Sequence, residues 1–138
     1  MSDSVIGLWH LTAARLEDLE TGALEDPYGE HPSGYLLIAP SGRMLSFLTS
    51  SDPIAYDPST LYNSMMAYSG KYRIEGDRLI TDVDMAWFPG WVGTQQERTF
   101  SVTGDDLHLR GGPFGLPARP GRRIRAILEY HREDPLGR

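Results

Sequence analysis

The stretch YSGKYRIEGDRLITDVDMAWF, residues 68–88, decides the fold. Tyr68, Gly70, Tyr72 and Ile74 alternate with Ser69, Lys71 and Arg73, so one parity is apolar or small and the other polar. Side chains two apart on a strand share a face, and this alternation marks a strand buried on one side. Glu75-Gly76-Asp77 then interrupts with turn chemistry. Alternation resumes in Leu79, Thr81, Val83, Met85 and Trp87, with Asp82 and Asp84 on the opposite face unless a bulge shifts the register. Two half-buried strands about a tight turn form an antiparallel hairpin.

The same punctuation recurs along the chain at Thr21-Gly22, Pro40-Ser41-Gly42 and Thr103-Gly104-Asp105-Asp106. Between the turns, strands are expected near 5–17, 34–39, 43–49, 68–75, 78–88, 92–102, 106–110 and 122–131. The pattern predicts an all-β, eight-stranded antiparallel up-and-down barrel, since closure removes the exposed edges of an open sheet. One segment departs from it. Pro58 to Ala67 predicts a short helix between strands three and four, with Pro58 or Ser59 near its N-terminus. Such a helix would lie over one barrel mouth, and Met65 and Met66 would offer adaptable apolar surface to core or ligand. No repeat, low-complexity tract or long linker divides the chain, so residues 1–138 read as a single domain.

Composition narrows the function classes. Of 138 residues, 40% are apolar and 10% aromatic, enough to fill one compact core. No apolar run approaches the roughly 18 residues of a membrane span. The opening Met-Ser-Asp-Ser lacks the basic and apolar regions of a secretory signal, which predicts a cytoplasmic protein. Cysteine is absent, which excludes disulfides and thiolate chemistry. The net charge of −6 disfavours nucleic acid and anionic membranes as partners. Acids gather early (Glu17, Asp18, Glu20, Glu25, Asp26, Glu30) and arginines late (Arg119, Arg122, Arg123, Arg125). The arginines sit beside Pro117, Pro120 and Gly121, as a solvated rim that pairs with the acidic segment would. Self-association through an exposed strand or the 50–66 segment, giving a homodimer, is left open.

Parity also selects the interior. Ile124, Ala126, Leu128 and Tyr130 share one face of the last strand, leaving Arg123, Arg125, Glu129 and His131 outside. In the sixth strand Phe100 and Val102 mark the inner face, and the same parity carries Gln96 and Arg98 inward. An arginine directed into a barrel is costly unless paired, hydrated or met by an anionic or carbonyl-bearing ligand. Arg98, Gln96, Tyr68, Tyr72 and Tyr130 therefore form a candidate polar constellation, with Trp9, Trp87 and Phe100 as candidate wall. The competing reading places Arg98 at a barrel end, stacked on an aromatic ring as a structural cap.

Signals of other chemistry are weak. Asp82 and Asp84 are a closely spaced carboxylate pair, but parity turns them outward, as it does His10, His108 and His131. None of the four histidines has metal-ligand spacing with another. There is no Gly-x-Ser-x-Gly elbow, Walker loop or Gly-x-Gly-x-x-Gly turn. Neither a metal nor a nucleotide cofactor is expected.

Several segments resemble the lipocalin-like domain family of bacteria and fungi. Gly7-Leu8-Trp9 resembles the Gly-x-Trp of the first strand in lipocalin-type barrels. Tyr68-Ser69-Gly70-Lys71-Tyr72 is similar to the family's Tyr-Ser-Gly-x-Tyr, and Phe88-Pro89-Gly90-Trp91-Val92-Gly93-Thr94 to its Phe-Pro-Asn-Trp-Val-Gly-Thr. Arg98 stands downstream, where members usually carry an arginine. The resemblance implies a closed barrel with Trp9 plugging one end and an arginine of the final strand over it, Arg132 being best placed and Arg125 the alternative. One departure is clear. Where members often carry His-His-Val-Glu, this chain reads Thr81-Asp82-Val83-Asp84, so chemistry by those histidines would not transfer.

Three functional classes follow. A binding module would hold a small apolar or amphiphilic molecule, with Arg98 and the tyrosines at its polar end. A cofactor-free enzyme, an isomerase, cyclase or hydratase, would fold a natural-product-like substrate in the same cavity and stabilise developing charge on oxygen. A barrel packed solid with side chains would do neither.

Overall fold

The computed structural model describes residues 5–50, 56–116 and 119–133. Strand β1 (Gly7–Asp18) is followed by the two-residue β2 (Leu24–Glu25), β3 (Ser33–Ile38) and β4 (Arg43–Thr49). Helix α1 (Pro58–Asn63) leads into β5 (Met65–Glu75) and β6 (Arg78–Ala86). After a 3-10 turn at Pro89–Trp91 come β7 (Gln95–Thr103), β8 (Asp106–Leu116) and β9 (Arg119–Arg132). Sequential neighbours from β3 to β9 pair antiparallel, and β9 returns to β1 from Trp9↔Arg132 to Asp18↔Ile124. The result is the closed eight-stranded up-and-down barrel that the alternation predicts. The extra strand, β2, only extends the β1 edge beyond β3.

The two ends of the barrel differ. The β3–β4, β5–β6 and β7–β8 turns meet the start of β1 and the end of β9 at one end, here called the lower. Trp9 is fully buried there, its Nε1 donating to the Val5 carbonyl at 2.9 Å. The Arg132 guanidinium lies over the indole, with Cζ 4.1 Å from the ring centroid, and Nη1 donates to the Ile6 carbonyl at 3.1 Å. Arg132 is thus the arginine over the tryptophan. Arg125 instead pairs with Glu17 at 3.7 Å. Above the plug, Leu36, Ile38, Met44, Leu79 and Leu107 are all buried. Each contributes about 1.5–3 kcal/mol by burial, so a filled lower half anchors a barrel whose upper half stays open.

Three expectations of local structure change. The helix is shorter than predicted: Asp57 caps it by accepting from the Thr60 N–H at 3.1 Å, Pro58 takes the first helical position, and it ends at Asn63. Met65–Ala67 instead begin β5, because pairing with β4 (Thr49↔Met65 to Phe47↔Ala67) satisfies their backbone. The second concerns Trp87, expected on the cavity wall, which packs on the helix instead. Tyr62 stacks on Trp87 at 5.2 Å between ring centroids, Tyr62 Oη donates to the Trp87 carbonyl, and Trp87 Nε1 donates to the Tyr62 carbonyl.

The third change concerns β6. Its register with β5 slips between Ser69↔Met85 and Gly70↔Val83, leaving Asp84 as an extra residue. Thr81 and Val83 point inward as expected, but beyond this bulge the parity reverses. Met85 is 70% exposed and Trp87 39%, so both leave the inner face assigned to them by unbroken alternation. Asp84 stays outside, held between Arg43 at 2.8 Å and Ser69 Oγ at 3.0 Å. Asp82 is exposed as well, accepting from Gln95 Nε2 at 2.9 Å.

The early acids and late arginines do pair. Arg122 donates Nη2 and Nε to Asp18 Oδ2 at 2.6 and 3.0 Å, while Asp18 Oδ1 accepts from the Glu20 N–H at 2.9 Å. Pro117 and the side chains of Arg119 and Pro120 lie outside the described residues. Among the described residues, no helix is long and apolar enough to cross a membrane.

Candidate functional site

The upper half of the barrel encloses a cavity of about 620 Å³. Parity decides which residues face it, and position along each strand decides which of those reach it. On β7, Gln96 and Arg98 point inward near the strand's upper end and line the space. Phe100 shares their face one step lower, where it packs against the buried core instead of the cavity. The same logic separates the tyrosines of β5. Tyr68 lines the cavity, whereas Tyr72, two steps lower on the face, donates its hydroxyl to the Ala39 carbonyl at 2.6 Å near the closed end. Tyr130 of β9 also lines the cavity, and Trp87 lies outside it. Of the seven candidate site residues, the fold therefore brings four together: Tyr68, Gln96, Arg98 and Tyr130.

These four join a residue that pattern reading passed over. Ser46 is directed inward from β4, paired with Tyr68 of β5, and buried. Its side chain hydrogen-bonds Tyr130, whose ring is buried on the opposite strand. Burial drives the Tyr130 phenol far above its ordinary range, and the adjacent Tyr68 adds to this. The Ser46 hydrogen bond and the charge of Arg98 pull it weakly back. Tyr130 is consequently a neutral hydroxyl at any physiological pH, able to donate as well as accept.

Arg98 supplies the charge. Its Nη1 donates to the Glu97 carbonyl at 3.0 Å and Nη2 to Gln96 Oε1 at 3.1 Å, while the buried Nε–H has no acceptor. Gln96 thus orients the guanidinium without neutralising it. Apolar and aromatic side chains complete the wall: Leu48, Met66, Leu109, Ala126 and Leu128 at the sides, and Tyr28 and Trp91 towards the mouth. Trp91 is set by the Pro89–Trp91 turn and meets Tyr68 edge to face, with centroids 5.6 Å apart. Burial raises the Tyr28 phenol as well. An apolar chamber with a few hydroxyl, amide and guanidinium groups on its wall suits a small molecule with one polar end. Among the described residues, no cluster of His, Cys, Asp and Glu is disposed to hold a metal ion.

Trp91, Tyr28 and Ser46 were not among the expected site residues. Trp91 had a signal, an aromatic side chain fixed in a Pro-Gly turn between strands. Tyr28 and Ser46 had none beyond their type.

Residues 6–132 match the family model of the lipocalin-like domain. The chain belongs to the lipocalin-like domain family. A 4'-hydroxy-3'-methoxypropiophenone carrier protein from Aspergillus oryzae is 36% identical over 52 residues, covering 32% of this chain and 47% of the relative. This lipocalin-like chain thus spans about half the length of the curated relative it matches. The crystal structure of an uncharacterized protein from Bacteroides eggerthii aligns over 93% of this chain and 98% of its own, at a TM-score of 0.45 and 11% identity.

Proposed function

We propose that this lipocalin-like barrel binds a small, largely apolar molecule in its upper cavity and releases it unchanged. The observation that carries the reading is the chamber of about 620 Å³ lined by the polar side chains of Ser46, Tyr68, Gln96, Arg98 and Tyr130 among apolar ones. The volume falls in the range of small-molecule sites, roughly 300–1,000 Å³. The asymmetry between a filled lower half and an open upper half supports binding over a barrel packed solid. The matched relative, named as a carrier of an oxygenated aryl ketone, supports an aromatic ligand with oxygen at its polar end.

A second reading draws on the same polar groups. Neutral Tyr130 and cationic Arg98 are the donors that would stabilise negative charge developing on a substrate oxygen, as a cofactor-free isomerase, cyclase or hydratase requires. One experiment separates the two. The purified protein is incubated with 4'-hydroxy-3'-methoxypropiophenone, binding is followed by calorimetry, and the compound is recovered for mass and NMR analysis. Micromolar binding with unaltered compound supports the carrier. A changed compound supports the enzyme, and no binding below millimolar concentration removes this ketone as a ligand for either.

A further inference from the structure

We infer that the molecule seated in this cavity carries an anionic head, a carboxylate or a comparably acidic oxygen, and that Arg98 is its counter-ion. The inference rests on the cavity-binding reading above and specifies the ligand's polar end. Three side chains around the cavity are charged: Arg15, Glu97 and Arg98. Arg15 lies between Asp26 at 3.5 Å and Glu129 at 3.6 Å. Glu97 accepts from Arg78 at 3.0 Å. Arg98 forms no ion pair among the described residues, and its contacts are a backbone carbonyl and an amide oxygen. The chain carries a net charge of −6, so carboxylates are plentiful, yet among the described residues none is placed on this guanidinium. A partly buried cation left without a counter-charge is costly, and a ligand anion removes that cost.

The neighbouring strand is shaped for the arginine. Arg98 pairs across the β7–β8 ladder with Gly111. A Cβ at Gly111 would stand 2.7 Å from Nε and 2.8 Å from both Cδ and Cζ of Arg98. Glycine in a strand interior weakens the strand, so this one exchanges strand stability for room in which the guanidinium lies flat against β8. The groups around it favour an anion as well. The Tyr130 hydroxyl is a neutral donor, and the Gln96 carbonyl oxygen is already engaged with Arg98, leaving its amide N–H₂ as the end with donors to offer. A cationic head would meet Arg98 directly, and a neutral alcohol would leave its charge uncompensated.

The test uses three probes with one bicyclic body and different heads: 2-naphthoate, 2-naphthylmethanol and 2-naphthylmethylamine. Each is titrated into the parent protein at pH 7 and followed by calorimetry. The carboxylate is expected to bind at least about tenfold tighter than the alcohol, as charge-assisted hydrogen bonds exceed neutral ones, with the amine weakest. In Arg98→Gln, with its fold checked by circular dichroism, the carboxylate should lose about tenfold or more while the alcohol stays within about twofold. Arg98→Lys should restore part of the preference as a point charge without the planar fork. Equal binding of carboxylate and alcohol to the parent overturns the anionic head and leaves the cavity reading standing. Equal losses for both probes in Arg98→Gln also overturn it, since the arginine would then only shape the wall. If no probe binds below millimolar concentration, the cavity reading falls and the head-group inference falls with it.

Discussion

Removing the guanidinium at the closed end should cost stability and leave the cavity untouched. In Arg132→Ala the fully buried Trp9 loses a cation whose Cζ sits 4.1 Å from its ring centroid, and the Ile6 carbonyl loses a charged donor at 3.1 Å. A largely desolvated cation–π contact contributes about 1–2 kcal/mol, and a hydrogen bond from a charged donor about 1.5–3 kcal/mol. The pair with Asp105 at 3.6 Å adds little, since that carboxylate is exposed. The contacts share one side chain and do not simply add, so the expected loss is about 2–4 kcal/mol, or about 6–15 °C in Tm for a domain of this size. Urea unfolding followed by tryptophan fluorescence measures the first figure and calorimetry the second. Arg132→Met, which keeps the aliphatic stem over the indole, should recover part of the loss. In a double-mutant cycle with Trp9→Phe the coupling should exceed about 0.5 kcal/mol. An Arg132→Ala protein within about 0.5 kcal/mol of the parent, or no coupling to Trp9, would refute the argument that the plug is an energetic unit.

Other expectations follow from single contacts. Gly111→Ala meets ordinary backbone geometry, so stability should change by less than about 1 kcal/mol, while the displaced Arg98 should lower 2-naphthoate affinity about tenfold in titration. An affinity equal to that of the parent would show that the arginine's position on β8 is unimportant. The Arg122 guanidinium, followed by the Glu20 N–H, holds the Asp18 carboxyl below its ordinary value of 3.8. A depressed folded value means the stabilisation is present at neutral pH and is lost as pH falls from about 3.8 through the folded value. Asp18→Asn should therefore be less stable than the parent at pH 7, with the gap closing as the pH drops below that point, as read from urea midpoints. Trp87→Phe deletes the Nε1 bond to Tyr62 at 2.8 Å and should loosen α1 by about 0.5–1.5 kcal/mol in amide exchange. Probe affinity should not move, and a change would put Trp87 back in the site.

Much of the candidate site was legible because it depends on parity. Strands with one buried face write their orientation into the sequence every second residue, which is why Gln96 and Arg98 point inward on β7 and Tyr130 on β9. The glycine facing Arg98 was not legible, because the expected strand stopped at residue 110 and only the longer β8 (Asp106–Leu116) puts Gly111 in the ladder opposite Arg98. Trp87 was misplaced by the same rule that located Arg98. Parity propagates only while the ladder is regular, and the extra residue Asp84 reverses it three positions before the tryptophan. The bulge itself joins Ser69 Oγ and Arg43 to Asp84, contacts between strands that no local pattern displays.

By itself the sequence determined that the chain folds as a closed antiparallel barrel of the lipocalin-like kind, and which parity of most strands faces its axis. Those properties are local, set by alternation and turn chemistry within each hairpin. Only the tertiary structure decided how deep along the barrel each inward residue lies. Depth depends on stagger between strands, which places Phe100 and Tyr72 among packed side chains and Arg98, Tyr68 and Tyr130 around open space. It also decided which charges find partners. Ion pairing is a relation between strands brought together by closure, and closure gives Arg15 and Arg122 their carboxylates while Arg98 faces the cavity with no carboxylate partner among the described residues.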